Sequence, residues 1–255
     1  TYQEQLNQQI SASLEQQFIN LLNEAGQDTG VPSQEVELPE DITGSELPAE
    51  IKAELRTLPE GLAKFVSKHL VAAGRFIDSK PELALQHAKA ANVAAASRLA
   101  IIREAVGVAA YRCGDYKFAL AELKAARRIS GKPDCLSLIA DCERGLGRPE
   151  KAIEVLNEKD VSKMDKVDFH ELMITVVGAR KDLGQKDAGL ALAKIPEFSS
   201  GIPAESVAKL RFVYAQTLLD LDRAADAQIW FQKTIDLDPE NITGAKEYLV
   251  INGSN

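Results

Sequence analysis

Apolar residues recur every three or four positions along most of this chain, the spacing of one face of an α-helix. Leu6, Ile10, Leu14, Phe18, Leu21 and Leu22 form the first such stripe, among Gln, Asn and Glu. It predicts an amphipathic helix over 1–25 that stops at Gly26. That helix packs on the rest of the chain, grips another chain, or is foreign to the native sequence. The pattern then lapses. Residues 26–46 carry Gly30, Gly44, Pro32, Pro39 and five acids from Glu35 to Glu46, which reads as an extended acidic linker.

From residue 61 the helical pattern returns and repeats. Five segments punctuate it: Ser79-Lys80-Pro81-Glu82-Leu83-Ala84, Gly114-Asp115-Tyr116-Lys117-Phe118-Ala119, Gly147-Arg148-Pro149-Glu150-Lys151-Ala152, Gly184-Gln185-Lys186-Asp187-Ala188-Gly189 and Asp222-Arg223-Ala224-Ala225-Asp226-Ala227. Their closing small residues, at 84, 119, 152, 189 and 227, are 35, 33, 37 and 38 apart. A helix precedes each turn and another follows. This predicts stacked helical hairpins. An Ala or Gly just past the turn lets the second helix seat on the first, and a glycine before it supplies a left-handed backbone. One hairpin cannot bury its apolar face alone, so neighbours stack.

These residues resemble the tetratricopeptide repeat family. The second hairpin fits best, with Gly107, Tyr111, Gly114, Tyr116, Ala119, Leu123, Ala126 and Pro133; the last fits through Ala227, Phe231 and Pro239. Two runs, 48–75 and Ala140 to Ala152, look similar to a group of actinobacterial tetratricopeptide-repeat proteins that implies no particular activity. The expected fold is an all-α, right-handed solenoid of about five helix pairs over 47–255. A closing helix from Asn241 to Ile251 would lay Tyr248 and Leu249 on the last apolar face.

The resemblance implies that the first helix of each pair lines a concave groove. Register from the turns then places His69, Ala73 and Phe76 there, followed by Glu104, Val108, Tyr111 and Arg112. Asp141 and Arg144 come next with Ser137, then Lys181 with Arg180, Ile174 and Gly178, and finally Phe212 and Gln216 with Leu219. The family's chaperone-tail clamp of Lys and Asn is absent, because those positions hold His69/Ala73, Glu104/Val108 and Ser137/Asp141.

Charge alters the picture. The total is −8. Residues 1–60 hold −10, residues 61–132 hold +8 and residues 133–255 hold −6. An acidic leader therefore sits beside a basic stretch that includes Arg98, Arg103, Arg112, Lys117, Lys124, Arg127, Arg128 and Lys132. RNA or another polyanion is the alternative partner, with the leader as its mask.

Candidate chemistry is sparse. His69, His87 and His170 fall on separate helices without ligand spacing, and read as helix-surface or groove residues. Cys135 and Cys142 share a helix face without further ligands nearby. Asp141, Glu143 and Glu171 read as solvated surface carboxylates. Alanine, at 35 residues, favours close helix packing. Three cysteines suit a reducing compartment. No apolar run approaches the roughly 20 residues of a membrane span, and no signal peptide is evident. The expectation is a cytoplasmic, non-enzymatic scaffold without metal or cofactor. It would bind a peptide or protein in the groove, with self-association through the 1–25 helix as a further possibility.

Overall fold

The computed structural model of the chain describes residues 36–96, 98–194 and 201–249. The expected helix over 1–25 and the start of the linker lie outside them. Among the described residues the chain is all-helical, without strands. It divides into an N-terminal body ending at Gly131 and a C-terminal body starting at Lys132.

The N-terminal body contains α1 (Ala49–Leu55) and two hairpins, α2 (Glu60–Phe76) with α3 (Pro81–Ala94) and α4 (Ala100–Arg112) with α5 (Tyr116–Ser130). Pro81 stands in the first turn of α3, where its missing N–H costs nothing. Asp115 caps α5 by accepting from the Phe118 amide at 3.1 Å, and Gly131 ends it at φ 67°. Leu55, Val66, Leu70, Ala91 and Ile102 form one core cluster; Ala73, Ala84, Ala88, Val106 and Ala109 form a second. In the second, small side chains bring helices close. Between α4 and α5 the approach is closest at Gly107, where a Cβ would lie 2.7 Å from Leu123 Cγ.

Residues 36–47 are not a free tether. Ile42 is 1% exposed, Gly44 lies against Ser67, and Asp41 meets Arg75 at 2.8 Å. The described part of the expected linker therefore packs on α2.

The C-terminal body contains α6 (Leu136–Gly145), α7 (Pro149–Glu154), α8 (Lys166–Asp182), α9 (Lys186–Ala193), α10 (Ala204–Asp220) and α11 (Ala224–Ile235). After α7 the chain tightens into short 3₁₀ turns at Val155–Asn157 and Lys159–Lys163. Asp165 then caps α8 through the amides of Val167 and Asp168. Val177, Leu210, Leu218 and Phe231 anchor the core.

The turn inside four of the five hairpins is built on one plan. Asp115 N donates to Ala110 O, Arg148 N to Glu143 O, Gln185 N to Arg180 O and Arg223 N to Leu218 O, all at 2.8–3.0 Å. This six-residue closure needs a left-handed residue. Gly114, Gly147 and Gly184 supply it at φ 71–77°, and Asp222 supplies it at φ 59°. Past each turn, the small residues Ala84, Ala119, Ala152, Gly189 and Ala227 are all buried, as the spacing predicts.

The closing helix is a correction. Asn241–Ile251 forms no α-helix where described, only a short 3₁₀ turn. Instead the Asp238 carboxylate accepts from the amides of Ile242 and Thr243 and from the Thr243 hydroxyl. Left-handed Asn241 and Gly244 then turn the chain into a 3₁₀ segment, Ala245–Tyr248. A carboxylate that offers local amides a better partner than the i−4 carbonyl diverts the backbone from a helix.

Candidate interaction surfaces

The expected groove cations hold the hairpins together. In the N-terminal body, Arg75 reaches back to Asp41 and Arg112 reaches back to Asp78, each over 34 residues. In the C-terminal body the reach is forward. Arg144 of α6 donates to Asp182 at the end of α8 at 2.7 Å, and to Asp141 at 3.0 Å. Lys181 meets Asp220 at 2.6 Å. A base in the last turn of each of these first helices thus meets an acid from a neighbouring hairpin or the segment before it. Arg180 instead donates to Gln185 within its own turn. Hydrogen bonding to Arg75 holds the Asp41 carboxyl below the usual range.

Gly178 makes room for the Arg144 fork. A Cβ there would fall 3.1 Å from the guanidinium Cζ and Nε. Such exposed pairs contribute about 0–1 kcal/mol each, and they orient guanidinium forks that a partner carboxylate would otherwise use.

The histidines are the second correction. All three are buried rather than on the surface. His69 Nδ1 lies 3.0 Å from His87 Nδ1, across the hairpin. Phe65 packs on His69, and Phe76 stacks on His87 at 5.8 Å. His69 and Phe76 therefore belong to the inside of the first hairpin. Burial, with the neighbouring His87, lowers the His69 pKa to about 4. Burial also lowers His87 and His170. His170 Nδ1 faces the Ser206 hydroxyl at 3.2 Å. The polar pattern of one helix carries no sign of a partner 18 or 36 residues away.

Glu104 is half-buried on α4, as is Tyr111, whose ring lies 5.7 Å from Tyr116. Cys113, Cys135 and Cys142 are thiols outside any disulfide, the latter two buried. Glu143 is buried against Arg148 at 2.7 Å, which replaces the solvated reading. Burial, then Asp165 and Asp134, raises the Asp168 carboxyl to about 6.

Phe212 and Gln216, expected to face an open groove, lie beneath the C-terminal turn. Tyr248 stacks on Phe231 with centroids 4.8 Å apart and meets Phe212 edge-on at 5.4 Å. Gln216 Nε2 donates to the Tyr248 hydroxyl at 3.3 Å, and Gln228 Nε2 to its carbonyl at 2.8 Å. Tyr248 and Leu249 do cover this apolar face, from a 3₁₀ turn rather than an α-helix. The sequence signal for this was the aromatic residue itself; the turn that delivers it depends on Asp238.

Among the described residues, no group of three or more His, Cys, Asp or Glu side chains is arranged to hold a metal ion, and no helix is long and apolar enough to cross a membrane. No protein-family model matches the chain, and no curated protein matches it significantly.

Proposed function

We propose that this chain is a non-enzymatic interaction module, tetratricopeptide-like in plan, that binds a peptide or protein on the first helices of its hairpins. The supporting observation is the four-fold recurrence of one turn, with the same closing hydrogen bond and the same buried small residue after it. A stack built this way presents equivalent helices side by side, and that is a surface for extended partners. Three thiols outside any disulfide fit a reducing, cytoplasmic setting.

The contact positions favoured are Glu104, Val108 and Tyr111 on α4, all half-buried and accessible. Arg112, Arg144 and Lys181 contribute by holding the stack. The test is affinity capture from the source cell with wild type, Tyr111→Ala and Val108→Glu. A partner retained by wild type and lost from both variants, at unchanged melting temperature, supports the reading. Partners that bind all three equally refute it.

A second reading is polyanion binding. It draws on α5, where Lys117, Lys124 and Arg128 are exposed and spaced to share one face. Labelled RNA titrated at two salt concentrations checks it. Salt-sensitive binding that Lys117→Glu weakens would favour this reading.

A further inference from the structure

The C-terminal turn shows how an aromatic anchor is received. Its own hydrogen bonds are self-contained. Asp238 holds Ile242 and Thr243, Asn241 Oδ1 accepts from the Lys246 amide, and Lys246 Nζ donates to Pro239 O. Gln216 Nε2 of α10 donates to the Tyr248 hydroxyl, and Gln228 Nε2 of α11 donates to the Tyr248 backbone carbonyl. The ring contacts end there too. Beneath Tyr248 lies Phe231, fully buried in the present arrangement, with Phe212 as a wall. Tyr248, 38% exposed, carries the ring contacts and one side-chain hydrogen bond, beside Ala245, which is fully buried in the same core, and Leu249, which packs on it.

We propose that the Phe212–Phe231 cleft is a peptide-binding site for an aromatic-anchored turn, and that Tyr248 is its resident occupant. The cleft selects by chemistry. Phe231 offers a face for offset stacking and Phe212 meets the ring edge-on, the two arrangements that aromatic quadrupoles favour. Gln216 donates to a phenol oxygen at the ring's far end. Gln228 receives the anchor's backbone carbonyl. The ligand class is therefore a segment with a tyrosine in a tight turn and that carbonyl left free of internal bonding. A partner segment of this kind binds by displacing Tyr248, so the tail sets a threshold that the ligand must exceed. This rests on the interaction-module reading and gives it a ligand class.

The tail itself is the probe. A synthetic peptide of residues 238–249 is titrated calorimetrically into the full-length wild type and into Tyr248→Ala. The expected result is binding to the variant and at least tenfold weaker binding to wild type, because the resident ring competes. A peptide carrying the same Tyr→Ala change should fail to bind either protein. If Tyr248→Ala loses its helical circular dichroism, Tyr248→Leu keeps an apolar cover without the stacking contacts and serves in its place. A folded variant that does not bind the peptide overturns the site. Light scattering separates a further outcome. A wild-type dimer that Tyr248→Ala converts to monomer would mark exchange of tails between copies, and would overturn a foreign ligand. The α4 variants stand apart: a silent titration beside a Tyr111-dependent partner removes the tail site and leaves the module intact.

Discussion

The guanidinium of Arg144 lies across the bare Cα of Gly178, 3.1 Å from where a β-carbon would stand, on its way from α6 to Asp182. The glycine sits inside α8, where it disfavours the helix by about 0.8–1.0 kcal/mol relative to alanine. Its presence there is explained by the arginine above it.

This relationship predicts a change of sign. Gly178→Ala alone should destabilise the chain by about 0.5–1.5 kcal/mol, because the guanidinium must leave its position. In an Arg144→Ala background the same change should stabilise by about 0.5–1 kcal/mol through helix propensity. Urea unfolding of the four proteins in the cycle measures the coupling.

A tighter approach occurs at Gly107. Its added methyl would meet Leu123 Cγ at 2.7 Å, and Leu123 is itself fully buried. Gly107→Ala should cost about 1–3 kcal/mol by overpacking. Gly107→Ala with Leu123→Ala should recover part of that loss. Thermal melts of the single and double variants check both.

The hairpin turns predict opposite outcomes at equivalent positions. Asp222 holds a left-handed backbone that a side chain disfavours. Asp222→Gly should therefore hold stability or raise it by about 0.5–1 kcal/mol. Gly147→Ala should lower it by about 1 kcal/mol or more. Chemical denaturation midpoints give the comparison.

Acid should loosen the N-terminal body first. His69 and His87 bind protons more weakly folded than unfolded, so the native state carries fewer protons than the unfolded chain in acid. Stability is whole above pH 6.5, the ordinary histidine value, and falls as pH drops toward about 4. The loss at the lower end is on the order of 3 kcal/mol. Replacing both histidines by leucine should flatten this slope. The measurement is the urea midpoint from pH 7.5 to 4.5.

Features that the backbone itself requires were readable in the sequence. Gly114, Gly147 and Gly184 mark left-handed turns, and the small residue five positions on marks where the second helix seats. Features that depend on a partner were not. The polarity of His69 says nothing about His87, and the charge of Arg112 does not distinguish solvent from Asp78. A weak signal did exist: Arg75 and Asp41, like Arg112 and Asp78, stand 34 residues apart, close to the repeat length. The expected closing helix failed for a local reason, since Asp238 collects the amides that would have opened it.

Because left-handed turns close four of the five hairpins in the same number of residues, variation in chain length collects between hairpins. There the connections range from the brief 95–99 to the longer 155–165 and 194–203. That asymmetry indicates where foreign sequence can be spliced. An epitope or reporter inserted at Lys159–Lys163, where Lys159, Ser162 and Lys163 are exposed, lengthens a loop that already varies. The entropic cost is about 0.6 kcal/mol per doubling of loop length. The same insertion at Gly147 or Gly184 would break the closure that sets two helices against each other. The connections between hairpins are open to engineering, and the left-handed turns inside the hairpins are not.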